Sequence, residues 1–109
     1  MEILAKINYN EFYDVISRLE YENEEIIFST KSKWLRVFFG VVGEALASYK
    51  ESFRIKLSDI ESITLGSSFT KKRVYVIKLF NGEFCSIVFK SQNEATINLM
   101  AILDKKVVV

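Results

Sequence analysis

Lys71, Lys72 and Arg73 form the one run of three like charges in this 109-residue chain. Such a run can grip a phosphate or an anionic membrane surface through charge-assisted hydrogen bonds. Lys31, Lys33 and Arg36 would strengthen that grip if the two groups meet in space. The competing reading is a solvated loop ahead of a strand, whose charges discourage edge-to-edge sheet pairing. The net charge of +1 supplies no overall field to favour binding to acidic surfaces or nucleic acid. A second group, Trp34 with Phe38 and Phe39, could form an exposed patch for a protein partner or a membrane. Its alternative is ordinary core, since half of the residues are apolar and need burial.

Other chemistry is missing from the composition. The chain has no histidine, which removes the commonest general base, Ser-His and Cys-His nucleophile pairs and the usual zinc ligand. The single cysteine, Cys85, cannot form an internal disulfide and lies in an apolar run, as a buried side chain in a reducing compartment would. Gly40 and Gly43 fit no phosphate-binding loop. The carboxylates between Glu20 and Glu25 lack the central glycine and alternating ligands of a calcium loop. Asp59 and Glu61 flank a corner where Asp59 is expected to bond nearby backbone. No catalytic residue, cofactor or metal site is expected, and an enzyme would have to work with carboxylates, lysines or tyrosines alone.

The elements that must position these residues fit one domain spanning 1–109, large enough to bury a core without staples. The N-terminus lacks the basic start and long apolar middle of a signal peptide. The greasiest stretch, Trp34 to Ala47, is interrupted by Arg36 and Glu44, leaving far fewer than the ~20 residues that span a bilayer. A cytoplasmic location is the expectation.

Along the chain, Asn8 and Glu11 make a capping-box pattern, and Tyr9, Phe12, Tyr13, Ile16 and Leu19 recur at helical spacing. These predict an N-terminal helix over about 8–20. A β region follows over about 25–90. Ile26 to Thr30 reads as a strand, while the stretch from Trp34 to Tyr49 divides between strand-like and helix-like halves. Phe53, Ile55 and Leu57 alternate with Arg54 and Lys56, Ser58-Asp59 makes a corner, and Ile60 to Leu65 resumes as strand. Val74–Phe80 and Glu83–Lys90 are joined by Asn81-Gly82, which predicts a two-residue type I′ hairpin. That register places Tyr75, Ile77, Leu79, Phe84, Ser86 and Val88 on one face. Val74, Val76, Phe80, Cys85, Ile87 and Phe89 fall on the other, and two apolar faces call for cover on both, from the N-terminal helix or a second subunit. A second capping box, Ser91 with Glu94, opens a helix over about 92–104 with Ala95, Leu99, Met100, Ile102 and Leu103 inward.

A meander of strands closed by one amphipathic helix is a mainly β architecture, α+β by count. The run Phe53-Arg54-Ile55-Lys56-Leu57, the corner Ser58-Asp59-Ile60 and the strand after it are similar to those of bacterial pleckstrin-homology-like and GRAM-like domains. Ile77-Lys78-Leu79, Asn81-Gly82-Glu83-Phe84 and Val88-Phe89 resemble their penultimate hairpin, and Phe39-Gly40-Val41-Val42-Gly43 with Ala45, Leu46 and Ala47 resembles a stretch ahead of their corner. The resemblance covers about Glu25 to Leu103. It implies a curled antiparallel sheet or barrel capped by the C-terminal helix, here with an extra helix in front. The expected function is a non-enzymatic cytoplasmic interaction module that binds a protein partner or itself, with no nucleic-acid partner. The alternative is a peripheral module for anionic phospholipid headgroups, using Lys71, Lys72, Arg73, Lys31, Lys33 and Arg36.

Overall fold

The structure, a computed structural model, describes residues 2–31, 48–67 and 72–108. Its strands are β1 (Ile3–Tyr9), β2 (Phe12–Glu22), β3 (Glu25–Lys31), β4 (Tyr49–Lys56), β5 (Ile60–Ser67), β6 (Arg73–Leu79) and β7 (Phe84–Phe89). A 3-10 turn, Leu57–Asp59, links β4 to β5, and one helix, α1 (Glu94–Asp104), follows β7. These seven strands form one sheet in the order β4-β3-β2-β1-β7-β6-β5, and each neighbouring pair in it is antiparallel.

That order forces the sheet to curl. Strands β4 and β5 are its two edges, about 29 Å apart if the sheet were flat. The link between them, residues 57–59, reaches at most about 14 Å. The edges must therefore swing toward each other. Tyr9 on central β1 accordingly meets Phe53 on edge strand β4, with ring centroids 4.7 Å apart. Bulges assist the bend where β1 meets β2, β3 meets β4 and β5 meets β6.

The expected N-terminal helix is absent: residues 8–20 complete β1, turn at Asn10 and Glu11, and run through most of β2. Two features imitate helical spacing. A bulge around Asp14, which sits at φ 50°, resets the alternation of β2, and the inward position 17 carries a serine. Beyond the bulge Ser17 and Leu19 are buried, and the Ser17 hydroxyl donates to the Ser29 carbonyl at 3.0 Å. Asn8 does use its side chain on free backbone, but at the bulge: its Oδ1 accepts the Asp14 N–H at 2.9 Å, and its Nδ2 donates to the Asp14 carboxylate at 3.1 Å.

The β6–β7 hairpin also differs from expectation, by one residue. Gly82 alone takes a positive φ there, 90°, and its N–H donates to the Leu79 carbonyl at 3.0 Å. The Leu79 N–H donates to the Glu83 carbonyl at 2.9 Å, so residues 80–82 form a three-residue loop. Lys78 therefore opposes Phe84 and Ile77 opposes Cys85. A one-residue slip exchanges the faces of one strand relative to the other. Tyr75, Ile77 and Leu79 share the buried face with Cys85, Ile87 and Phe89, while Val74, Val76 and Lys78 face outward with Phe84, Ser86 and Val88. The two-residue turn with two positive φ values occurs instead at Asn23 (52°) and Glu24 (60°), between β2 and β3.

The core gathers Ile3, Ala5, Ile7, Leu19, Ile26, Phe28, Ile55, Ile60, Ile63 and the inward residues of β6 and β7. Helix α1 closes it with Leu99 and Leu103, each worth ~1.5–3 kcal/mol on burial. Its N-cap is Asn93, which accepts the Thr96 N–H at 2.9 Å. Ser91, expected to cap, instead accepts the Leu4 N–H at 3.0 Å and ties the helix approach to β1. After the helix the chain docks on β5: the Ile63 N–H donates to the Lys106 carbonyl at 3.3 Å, and the Val108 N–H to the Ile63 carbonyl at 2.9 Å. This partly covers one sheet edge. The other edge strand, β4, is exposed, bulged at Ser52 and rich in charge, features that discourage further pairing.

Candidate functional site

Period-2 alternation sends every second side chain of the sheet outward, and the outward side differs between its halves. On β2, β3 and β4 the outward positions carry ion pairs. Arg54 donates through Nε and Nη2 to Glu51 at 3.0 and 2.8 Å and through Nη1 to Glu25 at 3.1 Å. Those bonds hold the Glu51 carboxyl below the usual carboxylate range and raise the Arg54 guanidinium above its own. Arg18 lies 3.6 Å from Glu2 and 3.8 Å from Glu20. Ile27 is buried yet stands outside the core cluster, opposite Glu20 and Arg54.

Of the six basic candidates, Lys31, Lys72 and Arg73 are described, whereas Lys33, Arg36 and Lys71 lie outside the described residues. Lys31 ends β3 and Arg73 begins β6, with three strands between them in the sheet order. The Lys31 ammonium lies 5.2 Å from the ring centre of Tyr49, and the Arg18 guanidinium lies 5.3 Å from the same centre. Both cations are thus held near one aromatic ring, Arg18 while also facing Glu2 and Glu20. Sequence reading missed Arg18 because it is adjacent only through the β2–β3 ladder. Arg73 has a different task. Its Nη1 donates to the Tyr75 hydroxyl at 3.3 Å and lies 3.6 Å from Asp104, while the Tyr75 hydroxyl donates to Asp104 at 3.0 Å. This trio fastens the end of α1 to β6. Burial first, then Asp104, outweighs Arg73 and raises the Tyr75 phenol.

The outward side of β6 and β7 is apolar. Phe84 is 57% exposed, and Val74, Val76 and Val88 are half-buried. Lys6 on β1 stands between Val88 and Ile16, and Lys78 opposes Phe84 while pairing with Glu61 at 3.3 Å. With residues 8–20 in strands, no described helix supplies the cover expected from the N-terminus. Cys85, by contrast, faces the core, where burial pushes its thiol up to about 12. Trp34, Phe38 and Phe39 lie outside the described residues; the ends of their segment are fixed by the cross-strand pair Lys31 and Tyr49.

Described residues line two concavities that open on the surface. One, of about 420 Å³, lies between α1 and the strands β1 and β2, lined by Ile3, Leu19, Tyr21, Ala95, Leu99 and Ile102 among others. The second, of about 540 Å³, lies among Tyr9, Arg54, Ile55, Asp59, Leu79, Phe80 and Asn81. The Asp59 side chain makes none of the backbone bonds expected of it, although its carbonyl accepts the Phe80 N–H at 3.0 Å. Among the described residues, no group of three His, Cys, Asp or Glu side chains is arranged to hold a metal ion, and no helix is long and apolar enough to cross a membrane. Comparison with protein-family models, curated proteins and solved structures found no match.

Proposed function

We propose that this chain is a non-enzymatic cytoplasmic interaction module with a pleckstrin-homology-like fold, and that its partner is a protein, a second copy of itself included. The carrying observation is the outward face of β6 and β7, where exposed Phe84 stands with half-buried Val74, Val76 and Val88 and no described element lies above them. Exposed large apolar side chains grouped on one face mark interaction sites. The fold part of the reading is supported by seven antiparallel strands in sequence, a curled sheet whose edges are joined by a short corner, and one C-terminal helix. The test is sedimentation equilibrium of the wild type at low and high salt. A mass above one chain, insensitive to salt and reduced by Phe84→Lys, supports self-association. A single-chain mass at every concentration removes it and leaves a different protein as the partner.

A second reading, an anionic-lipid module, draws on Arg18 and Lys31 at the Tyr49 ring, with Lys33 and Arg36 following in sequence. It predicts flotation with acidic but not neutral vesicles and release by salt. Arg18 and Arg73 both already face carboxylates, Arg18 beside Glu2 and Glu20 and Arg73 beside Asp104.

A further inference from the structure

We propose that the cavity mouth formed by Tyr9, Asp59, Phe80 and Asn81 receives an alkylammonium group, the head of a lysine side chain on a protein partner. The site is assembled from four separate places: the end of β1, the end of β4, the 3-10 corner and the β6–β7 loop.

Its chemistry selects a cation with an apolar stem. Asp59 is exposed, and its carboxylate makes no hydrogen bond or ion pair with any described residue. Phe80, 68% exposed, and Tyr9 bring aromatic rings to the same mouth, and the faces of such rings attract an ammonium. Ile55 and Leu79, both buried, offer apolar wall for a lysine stem. Asn81 is steadied by Glu83: its Oδ1 accepts the Glu83 N–H, and its Nδ2 donates to the Glu83 carboxylate, each at 2.8 Å. The other Glu83 oxygen is buried without a hydrogen-bond partner. The Glu83 carboxylate also raises the neighbouring Tyr9 phenol, second to burial.

Arg54 is the cation in the cavity wall, and its charge is already met. Glu51 and Glu25 hold it from two sides, so the three together carry a net negative charge. With Asp59 and Glu83, and with Lys56 opposite Glu25, the surroundings hold more carboxylates than cations in a chain whose overall charge is +1. An entering ammonium thus finds acceptors and aromatic rings.

The inference deepens the protein-binding reading by naming the partner's chemistry, and it fails separately: solution mass decides self-association, whereas a small cation decides this site. The experiment titrates the ¹⁵N-labelled full chain with Nα-acetyl-lysine methylamide, at low and physiological salt, beside the neutral Nε-acetylated probe. Saturable shifts at the amides of Tyr9, Phe80 and Gly82, weakened by salt and absent with the neutral probe, are expected. Asp59→Asn should weaken binding about fivefold, as for an exposed charge pair. Phe80→Ala should weaken it too, and is read if Asp59→Asn loses its native spectrum. No saturable shift, an equal response to the neutral probe, or unchanged binding in a folded Asp59→Asn variant would overturn the proposal.

Discussion

The β2–β3–β4 half and the β6–β7 half of the sheet share one core and differ on the outside. The first half dresses its outward positions with Arg18, Glu20, Glu51 and Arg54, which pair with one another or with Glu2 and Glu25. The second half dresses its own with Val74, Val76, Phe84 and Val88, relieved by the single pair Lys78–Glu61. Exposed ion pairs contribute little to stability but keep a surface solvated. Apolar outward residues are favourable only when something covers them. The difference therefore separates a half whose outward charges are paired from a half that, on the proposal made above, meets a partner.

The largest expected effect tests the shared interior. Phe28→Ala in the first half and Ile77→Ala in the second should each cost about 3–5 kcal/mol in urea unfolding, since both side chains are fully buried in one cluster. A loss confined to one variant would mean that the halves do not share a core.

Titration should distinguish the halves next. Cys85 in β7 has a thiol raised by burial to about 12, so the folded state disfavours its ionised form. Its stabilising effect is complete below the ordinary thiol pKa of 9.0 and is lost progressively as pH rises toward 12, on the order of 4 kcal/mol at the limit. Cys85→Val should flatten the alkaline arm of a stability–pH curve. In the charged half, Arg54 lowers the Glu51 carboxyl, so that contribution is present above the ordinary carboxylate value and fades as pH falls through the lowered one. Glu51→Gln should change only the acid arm.

The two turns offer a smaller contrast. Gly82 holds φ 90° with open space where a side chain would go, so Gly82→Ala should cost ~1 kcal/mol through backbone strain alone. Glu24 already bears a side chain at φ 60°, and Glu24→Gly should stabilise by about 0.5 kcal/mol. Thermal melts of the two variants should shift in opposite directions.

The smallest effect on stability falls on the outer surfaces. Phe84→Lys and Arg54→Ala should each leave the folding free energy nearly unchanged. Only Phe84→Lys should lower the solution mass of a self-associating protein. An equal response to Arg54→Ala would erase the distinction drawn between the two faces.

Much of the β region was legible because its signals are local. Phe53, Ile55 and Arg54 alternate as a strand requires, Gly82 marks a turn, and Leu99 and Leu103 keep helical spacing in front of Asp104. Residues 8–20 were misread because a buried serine at 17 and a bulge at 14 broke the alternation, leaving apolar residues three and four apart. The candidate sites were legible only as residue types. Lys31 acquires Arg18 as a neighbour through strand pairing, and Asp59 acquires Tyr9 and Phe80 through the curl.

The amino-acid sequence by itself determined the composition of the core, the absence of histidine chemistry, the C-terminal helix and most strand positions, because these depend on side-chain type and short periods. Tertiary structure decided which face of β6 meets β7's core residues, since one extra loop residue exchanges the sides. It also decided the pairing of β1 with both β2 and β7, and the joining of the two sheet edges by three residues. The loop length is a local choice between similar turns, whereas the β1–β7 pairing and the joining of the edges depend on contacts far apart in the chain, where local propensity has no purchase.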